Sequence, residues 1–231
     1  MKKIKNKIFI ACDSNNLISV KKIIKNTQTE KLQIGYKFGL EFFNSKNGRN
    51  FITKIKKNNI WLDLKLYDIP NTVEASIYSL RDIKNLTYLT IHISGGLQMM
   101  RSAKKAALKI NKKLKVLGVT ILTSFSKKEL QKTGHTKSIE QLVLQQTKLA
   151  KLAELDGIVC SGHEVKKIKK IFQKEIFTPG IRLPGDKPQD QKRIMTPKSA
   201  FKNGASGIVI GRSITKGNIK KNINKLINSL K

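Results

Sequence analysis

The chain has 231 residues, and its 47 Lys and Arg against 15 Asp and Glu give a net charge of +32. The basic residues are spread along the whole chain without an Arg-rich patch, so we expect a solvated surface and no nucleic-acid partner. No apolar run approaches a membrane span or a signal peptide, which predicts a soluble cytoplasmic protein with no membrane contact.

Short apolar runs alternate with Lys-rich amphipathic segments, which is the pattern of repeated strand–helix units. Amphipathic helices are predicted between the strands, the second of them over 42–58 and a long one over 139–155. Eight such units in this length predict an α/β fold, the (β/α)₈ or TIM barrel, as a single domain over residues 1–231. The predicted strands cover 8–12, 32–37, 61–66, 88–93, 115–120, 157–160, 176–178 and 207–210.

The third predicted strand carries an unusual set of charges. Strand alternation places Asp63 and Lys65 on one face and leucines on the other. Asp68 follows three residues later, and the next helix is predicted to begin with Asn71 or Thr72 as its cap. Two acids that flank one lysine at a strand end keep that lysine protonated.

In a barrel of this type, polar residues at the carboxyl ends of the strands converge on one mouth. The turns after strands seven and eight each contain Gly and Arg, which indicates a phosphate site. The irregular stretch 183–199 lies where such barrels often carry a lid. The converging residues are Asp13, Lys37, Asp63, Lys65, Asp68, Thr123, Arg182 and Arg212.

The run Asp-Leu-Lys-Leu-Tyr-Asp-Ile-Pro-Asn-Thr at 63–72 resembles the signature of the orotidine 5'-phosphate decarboxylase family. This resemblance implies decarboxylation of orotidine 5'-phosphate (OMP) to UMP, the last step of UMP synthesis, without a metal or organic cofactor. Similar features follow along almost the whole chain: Asp13, Lys37, Ser94-Gly-Gly, Leu122-Thr-Ser, Pro179-Gly-Ile-Arg, Asp190-Gln191, Arg193-Ile-Met-Thr-Pro and Gly211-Arg212.

The resemblance also implies roles for individual residues. Lys65 would be the proton donor, in a charge network with Asp63, Lys37 and Asp68. The protein would be a homodimer, with Asp68 and Thr72 contributed to the site of the neighbouring subunit. The implied substrate contacts are Asp13 and Lys37 at the ribose, Thr123 near the pyrimidine, and Arg182, Gln191, Gly211 and Arg212 at the phosphate.

Two alternatives stay open on sequence grounds. Sugar-phosphate enzymes of the same barrel group, such as hexulose-phosphate synthase or keto-gulonate-phosphate decarboxylase, resemble the Asp-x-Lys-x-x-Asp pattern. They use Mg²⁺ with an acidic residue after strand two, where this chain has Lys37, a residue that would repel a cation. A nucleic-acid-binding protein would account for the net charge but not for the strand-end residues. Cys12 and Cys160 fall at the ends of apolar runs and have no metal spacing, so we expect buried, reduced thiols and no metal site.

Overall fold

The computed structural model describes residues 4–186 and 193–230. Eight parallel strands pair in chain order and close into one barrel, with β1 beside both β2 and β8. The predicted (β/α)₈ barrel is therefore confirmed. The strands are β1 Ile4–Ala11, β2 Leu32–Gly39, β3 Ile60–Leu66, β4 Leu86–His92, β5 Lys115–Val119, β6 Gly157–Val159, β7 Glu175–Thr178 and β8 Gly207–Ile210.

The helices surround this barrel. A 3₁₀ turn over Ile93–Gly95 connects β4 to the helix that follows it. The described α-helices are α1 Leu17–Thr27, α2 Leu40–Phe43, α3 Gly48–Thr53, α4 Pro70–Tyr78, α5 Gly96–Ile110, α6 Lys127–Lys132, α7 Ile139–Leu152, α8 Val165–Lys169, α9 Pro197–Lys202, α10 Arg212–Thr215 and α11 Ile219–Ser229.

Four aromatic rings form a layer inside the barrel. Phe9, Trp61, Tyr88 and Phe177 come from β1, β3, β4 and β7, and their ring centroids lie 4.9–5.9 Å apart. Rings of this size fit because neighbouring strands carry glycine at the same level. A Cβ on Gly207, for example, would lie 2.6 Å from the Phe177 ring. This layer forms the floor beneath the mouth of the barrel.

The helices bury apolar faces against the outside of the sheet. In α5 the buried positions recur at helical spacing, and each large side chain removed from water there contributes about 1.5–3 kcal/mol. Only the 3₁₀ turn separates its first residue from β4, so the same packing also helps to fix the carboxyl end of that strand. The buried α5 residues are Met99, Met100, Ala103, Ala106 and Ala107.

Two local predictions were wrong. The second helix is broken into α2 and α3. The turn between them brings Gly48 so close to the carbonyl of Phe42 that any Cβ would overlap it, an approach that glycine permits. The helix after β3 has Ile69 as its N-cap instead of Asn71 or Thr72. Pro70 occupies its first position, where the fixed proline φ suits a helix and the missing N–H has no intrahelical partner to lose.

Two compositional expectations can be compared with the structure. No α-helix within residues 4–186 and 193–230 combines the length and the apolar character needed to span a membrane. Cys12 and Cys160 are both buried free thiols, as predicted. Burial raises the pKa of each thiol above its ordinary value, so both stay protonated at neutral pH.

Candidate active site

A cavity of about 460 Å³ opens at the carboxyl ends of the strands. Charged residues line one side of it. Two glycine-containing turns, each with an arginine, line it further round the barrel. Its lining residues are Ala11, Asp13, Lys37, Trp61, Asp63, Lys65, Val119, Ile121, Leu122, Thr123, Val159, Cys160, Pro179, Gly180, Arg182, Val209, Gly211 and Arg212.

The charged side consists of two carboxylates that alternate with two lysines. Lys37 Nζ lies 3.1 Å from Asp13 Oδ1 and 3.1 Å from Asp63 Oδ2. Lys65 Nζ lies 2.9 Å from that same Asp63 oxygen. These contacts join side chains from the ends of β1, β2 and β3 into one continuous chain of ion pairs.

Burial within this chain of ion pairs is graded. The side chains of Lys37 and Asp63 are 9% and 12% exposed, whereas that of Lys65 is 33% exposed and that of Asp13 is 56% exposed. The central pair is thus withdrawn from water, and the two outer members face the cavity. A substrate entering the cavity would meet the Lys65 cation and the Asp13 carboxylate, which are paired with the buried Asp63 and Lys37.

Electrostatics keep the buried central pair charged. Burial by itself would raise the pKa of Asp63, but the Lys37 and Lys65 cations outweigh it and lower the pKa of Asp63 to about 2. Burial would likewise lower the pKa of Lys37, but the Asp63 and Asp13 carboxylates hold it above its ordinary value. Asp63 is therefore a fixed negative charge at neutral pH.

The backbone of Lys65 departs from regular strand geometry. Between Leu62 and Leu66, β3 advances four residues while its partner β4 advances two, which makes a bulge. Lys65 lies within it at φ +46°, the left-handed region that is rare for residues other than glycine and asparagine. Asp63 and Lys65 do meet at the mouth as predicted, but through this bulge instead of through simple alternation.

Thr90 in β4 supports the bulge from a neighbouring strand. Its Oγ1 accepts a hydrogen bond from the main-chain N–H of Lys65 at 3.0 Å and donates one to Asp63 Oδ1 at 2.9 Å. Sequence reasoning missed Thr90. The available signal was its place in β4 between Tyr88 and His92, whose alternation indicates that Thr90 faces the same side as Tyr88, inside the barrel.

The two arginine-containing turns lie where they were predicted. Arg182 follows β7 and is buried, and Arg212 begins α10 directly after β8 and Gly211. Both arginines line the cavity together with Gly180 and Gly211. A charged fork next to glycine-containing turns suits an anionic oxygen group.

The remaining predicted residues divide into three groups. Thr123 lines the cavity, between the charged network and the arginines in chain order. Asp68 and Thr72 are exposed and do not line the cavity of their own chain; Asp68 Oδ1 accepts the Ile69 N–H at 2.7 Å. Gln191, predicted at the phosphate, lies outside the described residues, as does part of the predicted lid.

Comparison with known proteins identifies the family of this site. The model of the family described as "Orotidine 5'-phosphate decarboxylase / HUMPS family" matches residues 6–223. The chain belongs to this family. The prediction made from the 63–72 run is thereby confirmed.

Relatives and solved structures agree with this family. The orotidine 5'-phosphate decarboxylase of Fusobacterium nucleatum is 41% identical over 216 residues, covering 91% of this chain and 90% of that protein. The one from Oenococcus oeni is 43% identical over 213 residues, with 90% and 91% covered. The crystal structure of the Lactobacillus acidophilus orotidine 5'-phosphate decarboxylase matches with a TM-score of 0.83 and 32% identity, covering 98% and 99% of the two chains.

These similarities confirm the expected enzyme class and support the conversion of OMP to UMP in pyrimidine biosynthesis. The family description also covers HUMPS, but the curated relatives described above carry the decarboxylase name alone. A crystal structure from Geobacillus kaustophilus, described as an uncharacterized conserved protein, has the same architecture at 25% identity and a TM-score of 0.80.

Proposed function

We propose that the cavity decarboxylates OMP with Lys65 as the proton donor. The observation that carries this assignment is the contact of Lys65 Nζ with Asp63 Oδ2 at 2.9 Å, at the edge of a cavity that also contains two arginines. This reaction needs a fixed anion, a cation that can donate a proton, and a second region of the cavity that binds an anion. In OMP the carboxylate and the phosphate lie at opposite ends of the molecule.

The charge network supplies a mechanism. Bound OMP places its C6 carboxylate beside Asp63, whose pKa of about 2 keeps it ionised next to the departing group. The bond from C6 to the carboxylate breaks, CO₂ leaves, and the electron pair stays on C6. The Lys65 ammonium stabilises this developing charge and then gives its proton to C6, which leaves UMP and a neutral amine that solvent reprotonates.

Preorganisation explains why the network suits this step. Lys37 pairs with Asp63, and Thr90 donates a hydrogen bond to it. Thr90 also accepts a hydrogen bond from the backbone N–H of Lys65. Charges that are already oriented need no reorganisation while negative charge develops on the substrate. Asp13 and Lys37 would contact the ribose, and Thr123 the pyrimidine, beside the apolar wall of Val119 and Leu122.

The phosphate would bind at the two arginine-containing turns. We assign Arg182, Gly211 and Arg212 to this role, together with Gln191. Charge-assisted contacts with a guanidinium are about twice as strong as neutral hydrogen bonds. Binding energy gained here, remote from C6, can hold the carboxylate against Asp63 and exclude water from the reacting end.

We further propose a homodimer in which Asp68 and Thr72 complete the site of the neighbouring subunit. In support, Asp68 is exposed next to two large apolar side chains, Tyr67 and Ile69, which are 63% and 66% exposed. Exposed apolar groups at the rim of a mouth favour a protein contact. An interface with two-fold symmetry would carry each Asp68 into the opposite cavity. The free buried thiols suit a reducing cytoplasm.

Loss of OMP absorbance on mixing with metal-stripped protein tests the proposal. We expect full activity in EDTA, because Lys37 lies between the two carboxylates that a cation would otherwise use. Activity that disappears in EDTA and returns with Mg²⁺ would instead favour a sugar-phosphate enzyme. Salt-dependent retention on DNA without decarboxylation would favour a nucleic-acid-binding protein.

A further inference from the structure

We infer that Arg193 and Glu164, which lie outside the cavity lining, form a positioning pair for the phosphate-binding turn that carries Arg182. The inference rests on the proposed phosphate role of that turn. Arg193 Nη1 makes an ion pair with Glu164 Oε1, and the two side chains are only 17% and 10% exposed. Neither residue lines the cavity, so neither can act by touching the substrate there.

The 193–196 segment holds the turn after β7 through its backbone. Met195 donates its main-chain N–H to the Gly180 carbonyl at 3.1 Å and accepts the Arg182 N–H at 3.0 Å. This two-bond bridge is centred on Ile181, which is fully buried. The backbone on either side of Ile181 is therefore set by a segment that begins at Arg193.

Arg193 in turn holds that segment against two neighbouring loops. Its guanidinium pairs with Glu164, which precedes α8 in the loop after β6. The Nη2 group also lies 3.5 Å from the carbonyl of Leu122, in the loop after β5. Arg193 thus ties the segment that supports Arg182 to the loops of two other strands at the mouth.

The buried pair of Arg193 and Glu164 contributes little to the stability of the fold. Burial raises the pKa of Glu164 above its ordinary value, although the Arg193 cation opposes this shift. Within the described residues, Glu164 Oε2 and Arg193 Nε have no hydrogen-bond partner. A buried pair that is incompletely hydrogen-bonded gives little net stability, and apolar side chains of the same volume would often stabilise the fold as well or better. What the pair contributes is therefore the geometry that it imposes on its segment.

The test compares OMP with orotidine, which has the same base and ribose but no phosphate. We expect Arg193→Ala to lower kcat/KM for OMP by about 10- to 100-fold, mainly through a higher KM, because displacement of a positioning group by about 1 Å has effects of that size. The value of kcat/KM for orotidine should change far less. Binding of UMP and of uridine, measured by calorimetry, gives the same contrast without turnover.

Matched variants separate positioning from a general structural role. Glu164→Gln should raise KM for OMP in the same direction, Arg193→Lys should restore part of the loss, and the double alanine variant should be no worse than Arg193→Ala alone. Arg49→Ala is the control, because Arg49 makes an exposed ion pair with Asp82 at 2.8 Å. If Arg193→Ala does not fold, the Glu164→Gln and Arg193→Lys proteins carry the test.

Equal losses on OMP and orotidine, or an unchanged KM for OMP, would overturn the inference. A wild-type protein that binds UMP but does not decarboxylate OMP would overturn the proposed function instead. The comparison of UMP with uridine would then still decide whether Arg193 positions a phosphate site.

Discussion

The two ends of the barrel both carry linked charged side chains, but they differ in what the charges surround. At the amino end of the strands, Glu175 accepts a hydrogen bond from Tyr88 at 2.9 Å and pairs with Lys7 and, at 3.1 Å, with Lys115. This cluster closes the barrel beneath the aromatic layer. At the carboxyl end, the chain of ion pairs from Asp13 to Lys65 surrounds an open cavity.

Ionisation alone does not distinguish the two ends. Burial would raise the pKa of Glu175, but hydrogen bonds from Lys7 and Tyr88 and the Lys7 cation lower it below its ordinary value, as the lysines do for Asp63. The differences lie in the open volume and in the bulged backbone around Lys65. Carboxyl-end residues of such barrels carry chemistry and amino-end residues carry stability, so substitutions at the two ends should have separable effects.

The largest expected effect is loss of turnover in Lys65→Ala. This change removes the proposed proton donor together with the cation that offsets carbanion charge. General-acid catalysis alone is worth roughly 10²–10⁴-fold, and the lost electrostatics add to it. The measurement is kcat for OMP alongside UMP binding, which should persist. Lys115→Ala removes a lysine from the amino-end cluster and should leave kcat nearly unchanged. Near wild-type turnover in Lys65→Ala would contradict the assignment.

Recovery of activity by subunit exchange should be the next largest effect. Asp68→Asn and Lys65→Ala homodimers are both expected to be nearly inactive. In a mixed dimer one active site contains both substitutions and the other contains neither. Exchange of subunits should therefore restore substantial activity. Mass tags on the two proteins would verify exchange. Persistent inactivity after verified exchange would show that Asp68 acts within its own chain.

Arg212→Ala should weaken OMP binding by an amount set by the lost phosphate contact. A charge-assisted hydrogen bond of this kind is worth about 1.5–3 kcal/mol. Orotidine should be affected much less. The ratio of kcat/KM values for the two compounds measures the difference, and a ratio equal to that of the wild type would remove Arg212 from the phosphate site.

Glu175→Gln should lower stability while leaving the chemistry intact. The amide can still accept from Tyr88, but Lys7 and Lys115 lose their anionic partner. Glu175 is partly exposed, so we expect a loss of about 1–2 kcal/mol in the free energy of unfolding by urea. The value of kcat for the folded protein should not change. A loss of kcat at full folding would show that the two ends are coupled.

The acid titration of Asp63 should have no effect at neutral pH and should become visible only in acid. Its folded pKa of about 2 lies below the ordinary unfolded value of about 3.9. Its contribution to stability is therefore fully present above pH ~4 and is lost as the pH falls towards 2. Carboxyl NMR can follow this titration, with Asp63→Asn to assign the signal. Titration at pH 4 or above would show that the lysines do not hold the charge.

The sequence predicted the features that depend on local pattern. All eight strands followed from short apolar runs, and Asp13, Lys37 and Asp63 meet because each lies towards or just beyond the carboxyl end of a parallel strand. Lys65 joins them through the β3 bulge, which the sequence pattern did not predict. The free, buried state of both cysteines also followed from their positions at the ends of apolar runs and from the lack of metal spacing.

Features that depend on contacts between distant segments were missed. Thr90 supports Asp63 from 27 residues away. The pairing of Arg193 with Glu164 spans 29 residues and the whole of β7, and neither residue has a sequence neighbour that indicates the other. Such contacts are set by the packed barrel and have no periodic signal along the chain.

The left-handed backbone of Lys65 has a consequence for how this barrel can vary. Glycine or asparagine would adopt φ +46° with less strain, since backbone in this region costs other residues of order 1–3 kcal/mol. At this position the fold alone would therefore select a residue that has no ammonium group to donate a proton. Lysine persists there against the preference of its own backbone, so random substitution selected only for thermal stability should tend to remove it.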